Sequence, residues 1–548
     1  MTIFDDFPRY PDAERYRRAG FWTDETLGAM LRRAAATQPD ALAIVDGCRR
    51  VTYRELDTMV DRVANGLTAA GLRAGDRIVV QLPNSIEFVE ALFGLARIGA
   101  VPVMALPSDR IAELKHVAAG TGAVGYWVQD RVFATDYRLI TAELLDAVDT
   151  VRHVFVVGDA AGYRSHASLY GVQTRRPEPA ASTAALVMLS GGSTGMPKFI
   201  VRTHEDYLYS VRCSAEVCGL SAHSAYLCVL PAAHNFTMSS PGVLGVIHAG
   251  GCIVMLREPS GHAALNALAF LDAGRSAFTS LVPGLAQAWL ETTPPHAFLS
   301  LDFVQIGGAA LSPDVAARIV EHFGCELQQV FGMTEGMVAY TRRGDPPDRV
   351  LHTQGLPMSA ADEIVIVDDD DRPVPDGETG HLLVRGPYTI PGYFHASPQA
   401  AQAFTPDGYY RTGDRVRRRA DGYLVVEGRV KDQVNRGGEK IAAEEIEAHL
   451  LAFPAVSEAA VVGLPDRYLG EASCAFVVVA DHMKDMTDES AFAGRLRAFV
   501  RARGVAQFKV PDVVLIVPAL PRTTLGKTDK KALRASFVPG REDALGAA

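Results

Sequence analysis

Tryptophan is scarce in this sequence, at three residues, and the seven cysteines include no Cys-x-x-Cys pair. That spacing excludes a disulfide scaffold and the common zinc modules. An odd set of thiols in an unsecreted chain is expected to be reduced and mostly buried. The opening residues, MTIFDDFPRYPDAERYRR, carry early acids and no apolar core, so they are not expected to act as a secretory signal. No apolar run approaches the roughly 20 residues that a membrane helix requires. The best candidate, 242–256, is broken by His248 and by Gly250-Gly251. The expectation is a cytoplasmic protein with no membrane partner. An excess of basic charge is lacking too: the net charge is -10, which argues against broad nucleic-acid binding. One dense basic cluster, Arg415, Arg417, Arg418 and Arg419, precedes the turn signal Asp421-Gly422. It reads as a solvated strand end.

What is present is a long chain of ordinary globular composition. Its 548 residues, 48% hydrophobic and 22% charged, suggest about three or four folding units. From about residue 23 to 180, helical and strand patterns alternate: helix over 55–70, strand over 77–83, helix over 85–98, strand over 101–105. Such alternation favours an α/β layer with parallel strands, and 180–360 continues in that style. Near residue 363 the texture changes. Asp376-Gly377, Asp407-Gly408 and Asp421-Gly422 punctuate short β-branched or aromatic runs, the pattern of a hairpin-rich β unit. After Asp432 the pattern becomes α+β: helix over 442–453, strands over 458–462 and 475–480, helix over 489–503, strand over 513–517. The expected fold is therefore α/β. A large N-terminal domain, 1–431, contains a β-rich unit over 363–431, and a small α+β C-terminal domain spans 432–548.

The most informative stretch runs from Ala184 to Lys198. An apolar strand enters a loop of small residues, Ser190, Gly191, Gly192, Ser193, Thr194 and Gly195, which leads through Met196-Pro197 to Lys198. The glycines permit inward-facing N–H groups, the hydroxyls add donors and the lysine adds charge. Together they suit a phosphate cradle. The spacing is not that of a Walker A loop. It does satisfy Gly-x-Ser-x-Gly around Ser193, the nucleophile elbow of serine hydrolases. That elbow needs a helix straight after the serine, whereas Pro197 and an extended run follow here.

Further motifs carry a resemblance. The loop SGGSTGMPK is similar to the phosphate loop of the adenylate-forming (acyl-AMP synthetase) superfamily. Residues 329–335 (QVFGMTE) resemble its aromatic-Gly-x-Thr-Glu motif, and 410–414 (YRTGD) its ribose-binding Thr-Gly-Asp. Residues 428–440 (GRVKDQVNRGGEK) resemble its hinge motif, and 521–527 (PRTTLGK) its C-terminal lysine motif. The five occur in the family's order across nearly the whole chain.

The resemblance implies ATP and Mg²⁺ as cofactors. The loop and Lys198 would hold the phosphates that leave as pyrophosphate. Glu335, with Thr194, would serve the metal. Asp414 and Arg429 would contact ribose, with Val426 nearby. Gly308, Ala309 and Val330 would frame adenine, and Gly332, Met333 and Thr334 would also bind ATP. Lys527 would bridge the substrate carboxylate and the α-phosphate. The family's two-step cycle would turn the C-terminal domain about Asp432, next to Lys431. Gly437, Gly438 and Lys440 would then approach the site for thioester formation.

A narrower resemblance is to stand-alone aryl-acid ligases of siderophore and antibiotic pathways, of the 2,3-dihydroxybenzoate–AMP ligase type. It rests on 202–207 (RTHEDY) and 231–242 (PAAHNFTMSSPG). It implies that Asn235 bonds an aryl 2-hydroxyl, an amide being able to bond a phenol without demanding a cation. Ser240 would meet a 3-hydroxyl. His234 would lie near the carboxylate, with Phe236, Gly307, Gly308, Gly332 and Met337 lining the ring pocket. Met337 and Ala339 depart from the usual family residues and alter volume and polarity close to the ring pocket, so salicylate, 3-hydroxypicolinate and 3-hydroxyanthranilate stay open. No Gly-Gly-x-Ser-type phosphopantetheine site follows the C-terminal segment, so a fused carrier domain is not expected. The implied acceptor is an aryl carrier protein with a phosphopantetheine arm in trans, or coenzyme A, or an amine. Three other readings compete: a general acyl-CoA or aryl-CoA synthetase, a serine hydrolase using Ser193, and a non-catalytic nucleotide-binding module. An alkyl tail would leave Asn235 and Ser240 unpaired, which argues against the first of these.

Overall fold

The computed structural model describes residues 7–132, 134–190, 196–269, 271, 274–309, 311–429, 433–479, 488–521 and 528–537, with backbone only at Gln399 and Arg429. Two large sheets dominate it. In the first, nine strands run in the order Leu356–Pro357, Val338–Tyr340, Glu326–Gly332, Leu301–Gly307, Ser276–Leu281, Ser224–Cys228, Cys252–Met255, Leu42–Asp46 and Arg49–Thr52. The six central strands are parallel, and the edges are antiparallel. The second sheet has seven strands: Lys198–Thr203, Ala184–Ser190, Val101–Met104, Arg77–Gln81, Gly125–Gln129, His153–Val157 and Arg164–Ser165. Parallel strands covered on both faces read as near-continuous apolar runs. Ser224–Cys228 and Arg77–Gln81 are accordingly buried along their whole length.

The helices lie where the 3.6-residue pattern predicts. Tyr53–Ala69 starts from a capping box in which Thr52 and Glu55 satisfy each other's backbone N–H groups. Ser85 is the cap of Ile86–Arg97. The long apolar run at 242–256 divides into the helix Gly242–Ala249 and the strand Cys252–Met255. Gly250, at φ 78°, ends the helix in the left-handed region. No helix among the described residues is long and apolar enough to cross a membrane. All seven cysteines are free and five are buried.

From Glu363 onward a four-stranded antiparallel sheet joins Glu363–Val367, Thr379–Arg385, Tyr410–Arg418 and Leu424–Arg429. The expected basic strand end lies here. Arg417, Arg418 and Arg419 pair with Glu427, Asp376 and Asp348 at 3.0, 2.6 and 2.8 Å. Beyond residue 432 the strands Gln433–Arg436, Glu439–Ala442, Val456–Asp466, Gly470–Val479 and Val513–Ile516 form a sheet. The helices Ala443–Leu451 and Glu489–Ala502 pack on it around their own core. The strands over 456–466 and 470–479 are longer than their β-branched runs predict. Antiparallel pairing carries the ladder through Gly463, Pro465 and Gly470, residues with little strand propensity of their own. The boundary expected at Asp432 falls outside the described residues.

A buried charge cluster ties the helical layer to the strand that leads into the glycine-rich loop. Asp61 accepts from Arg32 at 2.9 Å and from Arg97 at 2.7 Å. Arg32 also reaches Glu178 at 2.8 Å, a few residues before the strand Ala184–Ser190. Arg97 is 1% exposed, and Asp57 is its other partner. Removing one carboxylate from such a network strands buried guanidinium charge. Asp61→Ala should therefore lower the urea-unfolding free energy by about 3–5 kcal/mol. A loss below about 1 kcal/mol, the scale of a surface pair, would contradict this account.

Candidate active site

The arms of the glycine-rich loop are neighbouring antiparallel strands, with Ser190 opposite Lys198. Gly191, Gly192, Ser193, Thr194 and Gly195 lie outside the described residues. Ser190 ends its strand with a buried hydroxyl that has no partner among the described residues. The Lys198 ammonium lies over the Tyr393 ring, 4.7 Å from its centroid. Past the loop, the chain enters the strand Lys198–Thr203 rather than a helix. That geometry removes the nucleophile elbow. The strand passes directly into the helix His204–Val217 through a capping box between Thr203 and Asp206. Asp206 also holds the buried Arg202 at 2.6 Å.

The segment at 231–242 forms one wall of a cavity. Its short helix, Asn235–Ser239, is capped by His234, whose Nδ1 accepts the Phe236 N–H at 3.2 Å. Burial, with Lys440 nearby, pushes the His234 imidazole down to about 4. It is therefore neutral at pH 7, with its proton on Nε2 as an available donor. Asn235 does not serve its own backbone. Its Oδ1 accepts the Tyr207 hydroxyl at 2.8 Å and the Ser239 hydroxyl at 3.3 Å. Its amide nitrogen has no partner among the described residues, and Asn235 lines the cavity. Ser240 is buried against the Tyr340 phenol, which Ser214 also contacts at 2.5 Å. A methyl group at Gly307 would lie 3.1 Å from the Phe236 ring and 2.8 Å from the Val330 carbonyl, so only glycine lets that ring settle there.

Opposite lies the hairpin that follows the strand Glu326–Gly332. Glu335 is buried, and its Oε1 accepts the Tyr393 hydroxyl at 2.8 Å. Oε2 has no partner among the described residues. No group of three or more His, Cys, Asp or Glu among those residues could hold a metal by itself. A single carboxylate oxygen left free on the cavity wall nevertheless suits Mg²⁺, which takes most of its shell from water and anionic ligands. Asp414 is buried in the strand Tyr410–Arg418, in register with Arg429, and its N–H donates to Thr412 Oγ1 at 3.0 Å.

The remaining wall comes from the C-terminal segment. The turn Gly437-Gly438 seats on Val282 and Gly308. A Cβ at Gly438 would fall 2.6 Å from the Val282 side chain, and one at Gly308 would fall 3.6 Å from Gly438 Cα. A Cβ at Gly284 would lie 1.2 Å from the Tyr468 carbonyl oxygen, so the two segments meet backbone to side-chain-free backbone. The Tyr468 hydroxyl donates to Glu291 at 2.9 Å.

The structure thus gathers Ser190, Lys198, His234, Asn235, Phe236, Ser240, Gly308, Val330, Gly332, Met333, Thr334, Glu335, Gly438 and Lys440 around one cavity. Gly307 backs it through Phe236. Ala309, Asp414, Val426 and Gly437 stand outside its lining, and the Val426 N–H is held by Gln354 at 2.7 Å. Met337, expected in the ring pocket, is fully buried in the core, and Val338 lines the cavity instead. Successive residues of an extended chain face opposite sides, so a motif alone does not tell which neighbour points in. Lys431, Asp432, Lys527 and the Arg429 side chain lie outside the described residues. Sequence reasoning missed Tyr207, Tyr393, Asp109, Glu113, Glu439 and Lys509. Tyr207 and Glu439 lie inside stretches already singled out, 202–207 and 428–440, but were given no role there; Tyr393, Asp109, Glu113 and Lys509 lie in none, and the fold brings these four and Glu439 to the cavity, with Tyr207 behind Asn235.

Known proteins resemble the chain along its length. The AMP-binding enzyme family matches residues 31–394, and the AMP-binding enzyme C-terminal domain matches 445–527. The chain is 47% identical over 535 residues to the 2,3-dihydroxybenzoate-AMP ligase of Bacillus subtilis, covering 97% of each. It is 46% identical over 531 residues to the salicyl-AMP ligase / salicyl-S-ArCP synthetase of Mycobacterium tuberculosis, covering 95% of this chain and 92% of that protein. Among solved structures it superposes on apo MbtA of Mycobacterium smegmatis with a TM-score of 0.74 at 46% identity, covering 97% and 98% of the two chains.

The His234 environment predicts a titration. Its folded-state pKa lies below the unfolded value. It therefore contributes stability present above about pH 6.5 and lost as pH falls towards 4. In an NMR titration of the folded protein, the His234 ring should change state near pH 4. Lys440→Met should move that midpoint upward. A midpoint at an ordinary histidine value would show that the ring is solvated and that the cavity is open there.

Proposed function

The chain belongs to the AMP-binding enzyme family, and from that premise we propose that it adenylates a 2-hydroxyaryl carboxylic acid, with 2,3-dihydroxybenzoate as its preferred substrate, and then passes the acyl group to a thiol. That it is an ATP-using acid–AMP ligase follows from the family and its named ligase relatives. The choice of acid rests chiefly on one observation. Tyr207 occupies the oxygen of the Asn235 amide, which leaves N–H donors for a phenolic oxygen. An alkyl acid would leave those donors desolvated and unpaired, at about 1–3 kcal/mol. Ser240 adds a hydroxyl where a 3-substituent would lie.

In the first half-reaction a carboxylate oxygen of the acid attacks the α-phosphorus of ATP. The bond to the β-phosphate breaks, and pyrophosphate leaves. Ser190, the glycine-rich loop and Lys198 are assigned to the departing phosphates, Asp414 and Arg429 to ribose, and Lys527 to the charge that develops between carboxylate and α-phosphate. The His234 Nε2–H, neutral and cavity-lining, is assigned to orienting the carboxylate. Glu335 is the residue suited to hold Mg²⁺, which when bound would neutralise phosphate charge. In the second half-reaction a thiolate attacks the acyl carbon, and AMP leaves. The Gly437, Gly438 and Lys440 face is assigned to that step. The acceptor proposed is the phosphopantetheine thiol of an aryl carrier protein in trans, in siderophore or antibiotic assembly. The relative named as a salicyl-S-ArCP synthetase supports this choice.

ATP–pyrophosphate exchange with a panel of acids tests the reading. Exchange should be strongest with 2,3-dihydroxybenzoate, weaker with salicylate and weakest with benzoate and octanoate. Strong octanoate exchange without any hydroxyaryl exchange would overturn it. Ser240→Cys should shift the ratio of kcat/KM towards salicylate by about 10-fold, the scale of one hydrogen bond to a buried group. An unchanged ratio would mean that Ser240 does not read the 3-position.

A further inference from the structure

A lysine outside every motif joins the two faces of the cavity. Lys509 Nζ lies 2.9 Å from Glu113 Oε1 and 2.7 Å from Glu445 Oε1. Their side chains are 6%, 2% and 8% exposed, so this is a buried bridge rather than a surface pair. Glu113 belongs to the helix Ile111–Thr121, which packs against the seven-stranded sheet. Glu445 lies in the first turn of the helix Ala443–Leu451, directly after the strand that carries Lys440. Burial works against the ammonium, but Glu113 and Glu445 outweigh it and hold Lys509 above its ordinary value.

The junction is knit by backbone as well. Glu113 accepts the Ala506 N–H at 3.1 Å, and the Ala112 N–H donates to the Gly504 carbonyl at 3.2 Å. Asp109 and Glu439 face the same junction, and burial pushes both carboxyls up to about 7. The junction is therefore poor in water and rich in carboxyl groups, and Lys509 supplies positive charge at its centre. Lys198 and Lys440 are the other lysines among the described residues that line the cavity.

We infer that Lys509 is a positioning residue for the thiol-transfer step: it clasps the helix Ala443–Leu451 to Glu113 and so holds the Gly438–Lys440 turn against the cavity. The inference rests on the reading above, in which adenylation and transfer use different placements of the C-terminal segment. The clasp is then made for transfer and released for adenylation, when Lys527 takes its place in the site. Both partners of Lys509 are needed. Glu445 travels with the C-terminal segment, and Glu113 stays with the cavity. Losing Glu113 would therefore detach the clasp without touching the core of the C-terminal segment.

The test separates the two half-reactions. Lys509→Met and Glu113→Gln are compared with wild type in ATP–pyrophosphate exchange and in single-turnover transfer from preformed acyl-adenylate to pantetheine. Transfer should fall by at least about tenfold more than exchange in both variants. The double exchange Glu113→Lys with Lys509→Glu should recover part of the lost transfer. Equal loss in both half-reactions at an unchanged melting temperature would overturn the clasp, and so would unimpaired transfer. A second readout is independent of substrate. Spin labels at Leu139→Cys and Leu451→Cys, both exposed sites, in a Cys48→Ser background report the separation of the two faces. Glu113→Gln should broaden the distance distribution or add a second population. An unchanged distribution would overturn the clasp even if the aryl-acid reading held, whereas absence of aryl-acid exchange in wild type would overturn that reading alone.

Discussion

An amide, an imidazole and a carboxylate sit together in one buried cavity, and the arrangement depends on each being only half satisfied. Asn235 has its oxygen taken by Tyr207, His234 has Nδ1 taken by the Phe236 N–H, and Glu335 has Oε1 taken by Tyr393. Each keeps a second polar atom in reserve. Each faces the cavity, so a ligand that displaces water there must pair them, since a polar atom desolvated without a partner costs about 1–3 kcal/mol. The holding bonds also fix orientation. Without Tyr207, the Asn235 amide could turn and offer an acceptor where a donor is required.

The scaffold serves that constraint. Two strands of each large sheet end at the cavity, Val101–Met104 and Ala184–Ser190 in one and Leu301–Gly307 and Glu326–Gly332 in the other, as strand ends do in open α/β sheets. The hairpin from Ala184 to Thr203 delivers Ser190 and Lys198 side by side. The charge cluster of Arg32, Asp61, Arg97 and Glu178 lies well behind the site, yet it fixes the approach of the strand that feeds the glycine-rich loop.

Much of this was legible in the sequence. Alternating helix and strand patterns up to residue 360, the Asp-Gly hairpins after 363 and the α+β texture after 432 all reappear as elements. Fourteen of the expected site residues meet at the cavity because motifs lie at strand ends, where the fold concentrates them. What stayed hidden was decided by tertiary contact. Met337 and Val338 are neighbours with similar chemistry, and only strand orientation distinguishes the one in the core from the one at the cavity. Tyr207 looks like any aromatic residue on an amphipathic helix until the Asn235 amide is placed against it. Lys509 lies 396 positions from Glu113, and no local pattern links them.

The contact of Gly284 with the Tyr468 carbonyl has a consequence for how the two faces can part. A junction built from glycine and carbonyl has no side-chain rotamers to freeze on closing and none to release on opening. It also carries no net charge, so ionic strength leaves it largely untouched, unlike an exposed ion pair. Such a seam behaves as a bearing: it defines where the faces meet while adding little resistance to their separation. The hold is then left to the few directional bonds around it.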